Sequence, residues 1–241
     1  MSLQVLIDFD NLSRQMRQAT AVNTARTLLG VIPTSVTKGY TQAQTRLYGG
    51  WRSGGIRTQR AQSIAADIAS NAPFVYAHPP TSTTVRVTVE LADGLFGAQS
   101  SFADTLVKER GLRNFRASST NHSSCMNGGA CGMHFYKGLT ESTSCGVNGC
   151  PVQLGDVLVR DEQKMVDSTM IADMAKHALH SRAQDIVVVS SDVDVWPGIL
   201  LSILHGCRVI QIHTTRGWRT QRALVNTIPS HLHNYYIQSS V

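Results

Sequence analysis

Apolar runs long enough to cross a membrane are missing from this sequence, although 42% of its 241 residues are hydrophobic. The first such run, residues 3–7, is cut short by Asp8 and Asp10, and no cationic stretch precedes it. A secretion signal is therefore not expected, and the expected compartment is the cytoplasm. Internal repeats and low-complexity tracts are absent as well. That leaves one domain over residues 1–241, plain or carrying an insertion, with enough apolar side chains for its own core.

Carboxylates are scarce where cations gather. Residues 1–60 hold Arg14, Arg17, Arg26, Lys38, Arg46, Arg52, Arg57 and Arg60 against Asp8 and Asp10 alone. From His205 onward there are Arg208, Arg216, Arg219 and Arg222 and no Asp or Glu. With a formal net charge of +6, such surface draws polyanions by releasing their counterions. An ordinary solvated basic face would have the same composition.

The apolar pattern predicts an α/β fold. Residues 3–7 (LQVLI) and 185–189 (DIVVV) read as strands buried on both faces of a parallel sheet. Further strands are expected at 45–48, 74–77 and 208–212, and helices at 20–32, 57–69, 163–180 and 197–205. Strand-helix-strand alternation at both ends implies a three-layer sandwich around a mostly parallel sheet. Between them Val85, Val87 and Val89 alternate with polar residues, the pattern of a half-exposed strand. Residues 114–118 and 157–160 are its expected partners, so 83–160 is read as an insertion containing a Cys-rich knob at 122–151.

The aspartates follow this pattern. Asp8 and Asp10 come directly after the first buried strand, and Asp192 and Asp194 after the strand ending at Val189. If both strands are parallel, all four sit on one carboxyl edge, where open α/β sheets place their ligands. Asp167 precedes Met170 and Ile171 by about one helical turn and shares the sheet-facing side, with Lys164 one turn earlier. Asp173 lies about 120° around that helix and could border the same site. Converging carboxylates need a cation, and an all-oxygen set suits Mg²⁺ or Mn²⁺. Taken singly, each aspartate is as well explained as a turn former or helix cap.

As a set, Ile7-Asp8-Phe9-Asp10-Asn11-Leu12, then Lys164-Met165-Val166-Asp167 with Asp173, then Val189-Ser190-Ser191-Asp192-Val193-Asp194 resembles the NYN domain family of PIN-like nucleases, which includes LabA-like proteins. The resemblance covers the beginning and the last third of the chain. It implies a PIN-like, Rossmann-like fold and a metal-dependent endoribonuclease. Asp8, Asp167 and Asp192 would be principal metal ligands, Asp194 and Asp173 supporting ones, and Asn11 would orient substrate or a metal-bound water. Met165 stands where the family more often has glycine, and Trp196-Pro197 follows Asp194 where a short polar turn is commoner.

Of five cysteines, Cys125, Cys131, Cys145 and Cys150 are crowded into a Gly- and Ser-rich stretch. Two such pairs can form a thiolate site for structural Zn²⁺, with His122 and His134 as alternative ligands, in a zinc-ribbon-like subdomain. The gaps are wider than usual, and disulfides or unliganded thiols are the other readings. Cys207 reads as a buried small hydrophobe. Two loops, Arg46 to Arg52 and Arg216 to Arg219, combine cations with an aromatic and could stack bases and bind phosphates. Ordinary turn chemistry explains their glycines equally well.

The expected partner is nucleic acid, RNA first. Arg14, Arg46, Arg52, Lys164, Arg216 and Arg219 are the candidate contacts; no membrane is involved, and a homo-oligomer is left open. The competing functions are a binding module of the same fold without catalysis, and a phosphatase of the haloacid dehalogenase type. The latter rests on Asp8-Phe9-Asp10 and lacks the threonine usual after that motif.

Overall fold

A computed structural model describes residues 2–53, 55–78, 83–97, 106–111, 148–152, 159–180 and 185–241. The chain divides into two compact units, residues 1–107 with 163–241, and residues 108–162. The first holds a seven-stranded sheet.

Its central strand is β1 (Ser2–Asp8), buried from Leu3 onward. On one side lie β2 (Gln42–Tyr48), then β6 (Thr83–Leu91), then the edge strand β5 (Phe74–His78). On the other lie β9 (Asp185–Val189), β10 (Arg208–His213) and β11 (Tyr236–Ser240). Every pairing is parallel except β5 with β6. Two short strands, β3 (Arg52–Ser53) and β4 (Ile56–Arg57), form a hairpin outside this sheet. The strands β7 (Leu106–Gly111) and β8 (Val159–Lys164) lead to and from the second unit.

Side-chain alternation along β1 sorts the core into two layers. Leu3, Val5 and Ile7 join α2 (Ala21–Val31), which buries Ala21, Val22, Ala25, Leu28 and Leu29 against them. The small helices α1 (Arg14–Gln18) and α3 (Thr34–Thr37) flank it, and α4 (Gln59–Asn71) adds Ala61 to the same layer. Leu6 faces the other way, toward α5 (Val166–Leu179) and α6 (Trp196–Leu204), among Val166, Met170, Met174, Ile199 and Ile203. A four-residue helix, α7 (Arg222–Val225), closes the chain's last crossover. The architecture is a three-layer α/β sandwich, and among the described residues no helix is long and apolar enough to cross a membrane.

One strand belongs elsewhere than its pattern predicted. The alternation in β6 is real: Val85, Val87 and Val89 are buried, while Arg86 and Thr88 are exposed. Yet its partners are β2 and β5, so it is part of the main sheet rather than of an insertion starting at 83. The second unit begins near residue 108. Cys125, Cys131, Cys145, His122 and His134 lie outside the described residues; Cys150 is half-buried and is not disulfide-bonded.

Candidate metal centre

The strand order reverses direction between β1 and β9. From β1 the chain moves outward through β2, and from β9 it moves outward the opposite way through β10. Loops leaving the carboxyl ends of two such strands diverge to opposite faces and leave a crevice between them. Ile7 pairs with Val189, so Asp8 and Ser190 emerge side by side at that crevice.

Asp8 is 5% exposed. Its Oδ1 accepts from the Asn11 backbone N–H at 3.2 Å and its Oδ2 from Ser190 Oγ at 3.0 Å. Burial pushes its carboxyl up to about 7; those two hydrogen bonds pull it back, and Asp167 and Asp10 push it further. Asp167, in the first turn of α5, is raised by burial and then by Asp192, Asp194 and Asp10. One carboxylate oxygen from each of Asp167, Asp192 and Asp194 falls within 4.8 Å of the other two. The ion pairs of Arg46, Arg57, Arg60 and Arg208 all go to other carboxylates.

Local structure holds this arrangement. Asp192 caps the 3₁₀ turn Val193–Val195, accepting from Asp194 N at 2.9 Å, while its own N–H donates to Ser190 Oγ at 3.0 Å. Ser190 thereby ties Asp8 to Asp192. The turn runs straight into α6, and α6 lies directly on α5 because position 198 is glycine. A Cβ there would stand 3.3 Å from Ile171 Cα and strike the Met174 side chain. That close approach brings the start of α5, with Asp167, up to the turn carrying Asp192 and Asp194.

Asn11 supports rather than joins the carboxylates. Its Oδ1 accepts from Ser191 N at 3.0 Å and from Thr214 Oγ1 at 2.7 Å, which fastens the loop after β1 to those after β9 and β10. Asp10 turns away: it accepts from Gly50 N at 2.9 Å and pairs with Arg60. Ser190 and Thr214 are the residues that motif reading passed over. Ser190 stood in the quoted strand-end motif, and Thr214 stands level with Ser191, each two residues beyond the Ile212–Val189 pair.

Two expected site residues lie apart from the cluster. Asp173 is fully buried and accepts from Arg46, from Tyr48 Oη at 2.7 Å and from Phe96 N at 2.7 Å. Its oxygens are already satisfied, so it is not positioned as a ligand beside Asp167. Arg46 is 4% exposed, held between Asp173 and Glu90, with Glu90 2.8 Å from its Nε. It is a core cation and not a surface contact for phosphate. Trp51, expected as a stacking platform, is buried too: its Nε1–H donates to Leu47 O at 2.9 Å and its ring meets Phe9 at 5.7 Å. Arg14, Arg216 and Arg219 are exposed, and Arg52 and Lys164 are half-buried.

An all-carboxylate donor set fits a hard divalent ion such as Mg²⁺ or Mn²⁺ and does not fit a soft, thiolate-seeking one. Compared with known proteins, the chain matches no family model, no curated protein and no solved structure.

Proposed function

We propose that this chain is a metal-dependent nuclease, an endoribonuclease by preference, with its reacting centre at the β1–β9 crevice. The observation that carries the reading is the convergence of Asp167, Asp192 and Asp194 within 4.8 Å, beside a buried Asp8. The resemblance to NYN domains supports it, because Asp8, Asp167 and Asp192 are the positions that pattern marks as ligands. Exposed Arg14, Arg216 and Arg219 supply positive surface for a phosphodiester strand.

A bound Mg²⁺ or Mn²⁺ would activate water and stabilise charge on the scissile phosphate. Asp167, Asp192 and Asp194 would hold it, with Asp8 beside them. Ser190 would keep Asp8 and Asp192 in fixed orientation, a supporting role of the kind that tunes metal affinity. Asn11 would fix the three loops around the ion. Structural Zn²⁺ on Cys125, Cys131, Cys145 and Cys150 is part of the same proposal, read out by the zinc content of the purified protein.

The test is cleavage of single-stranded and structured RNA in Mg²⁺ or Mn²⁺. Asp167→Asn and Asp192→Asn should each lower the rate at least about 100-fold, since losing a ligand costs no less than losing its support. Undiminished cleavage by both variants sinks the nuclease reading. Salt-sensitive binding that persists in EDTA, with no product at any metal concentration, would point instead to a binding module.

A further inference from the structure

A pocket opens beside the carboxylates, over the ends of β9 and β10. Asp192, Trp196, Gln211, His213, Trp218 and Arg219 are among the residues that line it; the cavity proper is about 40 Å³ and widens to about 350 Å³ of empty space at its open mouth. Because Asp192 belongs to both the pocket and the carboxylate group, whatever fills the pocket lies next to the proposed reacting centre.

Its walls differ in kind. Trp51 and Trp196 are buried, whereas Trp218 is 54% exposed. It is set in a turn closed by its N–H donating to Thr215 O at 3.1 Å, with Gly217 at φ +77°. An aromatic face kept this open offers a stacking surface. Arg219 beside it is exposed, and its charge reaches His213, helping to hold that imidazole neutral after the larger effect of burial.

The floor is rigid and polar. The Gln211 side chain donates to Ser190 O at 3.0 Å and accepts from Thr220 Oγ1 at 2.9 Å and from Tyr236 Oη at 2.5 Å. His213 is 2% exposed, with Nε2 3.2 Å from Gln238 Oε1. That oxygen also accepts the Thr220 N–H at 2.9 Å, so it is an acceptor and the His213 proton is on Nε2. Nδ1 is then a lone-pair acceptor, itself buried and without a hydrogen-bond partner among the described residues.

An open aromatic and a neighbouring guanidinium over a polar floor together suit a flat ring attached to an anion. We propose that this pocket receives one nucleobase of the bound strand, stacked on Trp218, with its phosphate turned toward Arg219 and the carboxylate group. The proposal rests on the nuclease reading for its strand, but base binding is measurable without cleavage.

The experiment is equilibrium dialysis of the full chain in EDTA with adenosine, guanosine, cytidine and uridine 5′-monophosphates, with ribose 5-phosphate as the baseless probe. At least one nucleotide should bind tightly enough to quench tryptophan fluorescence, and ribose 5-phosphate should bind far more weakly. Trp218→Ala should weaken nucleotide binding about 5- to 100-fold, the range of one lost base stack, and Trp218→Phe should keep most of it. Ribose 5-phosphate binding as tightly as every nucleotide, or an unchanged affinity in Trp218→Ala, overturns the pocket. Cleavage that survives in Trp218→Ala alongside unchanged nucleotide affinity would sink the pocket and leave the nuclease. Nucleotide binding that depends on Trp218, with no cleavage in any metal, would do the reverse.

Discussion

Helix α5 carries two aspartates in contrasting surroundings. Asp173, in its middle, is fully buried and completely answered by Arg46, Tyr48 and the Phe96 N–H, with Lys176 also close enough to lower its carboxyl. Asp167, at its start, is half-buried among Asp8, Asp192 and Asp194. Burial raises both carboxyls, but Arg46, the Phe96 N–H, Tyr48 and Lys176 oppose the rise at Asp173, whereas Asp192, Asp194 and Asp10 add to it at Asp167. A buried charge is tolerated when its partners are complete. One surrounded by its own kind is left costly, and perturbed groups of that sort gather where proteins bind or react. The same helix thus separates a carboxylate that holds the fold from one gathered with other carboxylates, the one proposed here to serve an ion.

The largest effect is expected at the answered end. Arg46→Met leaves Asp173 and Glu90 without their shared cation in the core, a change that typically costs about 3–5 kcal/mol. Urea unfolding should show that loss, and Arg46→Met with Asp173→Asn should recover most of it because the stranded charge is gone. A wild-type midpoint for the single variant would erase the distinction between the two aspartates.

Substitution at the unanswered end should have the opposite sign. Burial pushes the Asp8 carboxyl up to about 7 in the folded protein, from an ordinary value of 3.8. Between those values the folded, metal-free chain keeps a proton that the unfolded chain releases. Stability therefore falls as pH rises from about 4 to about 7 and is flat above. That gap corresponds to about 4 kcal/mol. Asp8→Asn removes it, gives back about 1–2 kcal/mol for the imperfect hydrogen bond with Ser190, and so should be more stable by about 2–3 kcal/mol at pH 8 in EDTA. At pH 4 the advantage should vanish, while cleavage is lost at every pH. Asp8→Asn unfolding earlier than wild type at pH 8 would mean that Asp8 is structural like Asp173.

Sequence pattern could reach one of these ends and not the other. The strands flanking the crevice are unbroken apolar runs, each followed by acidic residues, so both their burial and their common edge are written locally. Asp173 shows the limit: its helical position places it near the sheet, but its partner Arg46 is 127 residues away on β2. No local spacing signals that pairing. The alternation in β6 likewise revealed which side chains are buried but not that β2 and β5 are its neighbours, because strand partners are chosen by long-range packing. Gly49-Gly50-Trp51 reads as an exposed turn. Its ring is buried because Phe9 and the Leu47 carbonyl provide for both its apolar body and its N–H.

The smallest effect sharpens the comparison at the point where α5 begins. Met165 is the residue before the helix, has φ +67° and is 43% exposed. A side chain in that left-handed region meets its own backbone, at a cost of about 1–2 kcal/mol that glycine avoids. Its exposure means that little packing is forfeited by removing it, although glycine brings extra chain entropy in the unfolded state. Met165→Gly should therefore stabilise the protein by about 0.5–1 kcal/mol, visible as a small rise in melting temperature. Because the same turn sets the entry of Asp167, the variant should leave cleavage within about twofold of wild type if the carboxylates are placed by the Gly198 contact between α5 and α6. A loss of cleavage with the predicted gain in stability would show instead that the strained turn at Met165 holds Asp167 in place.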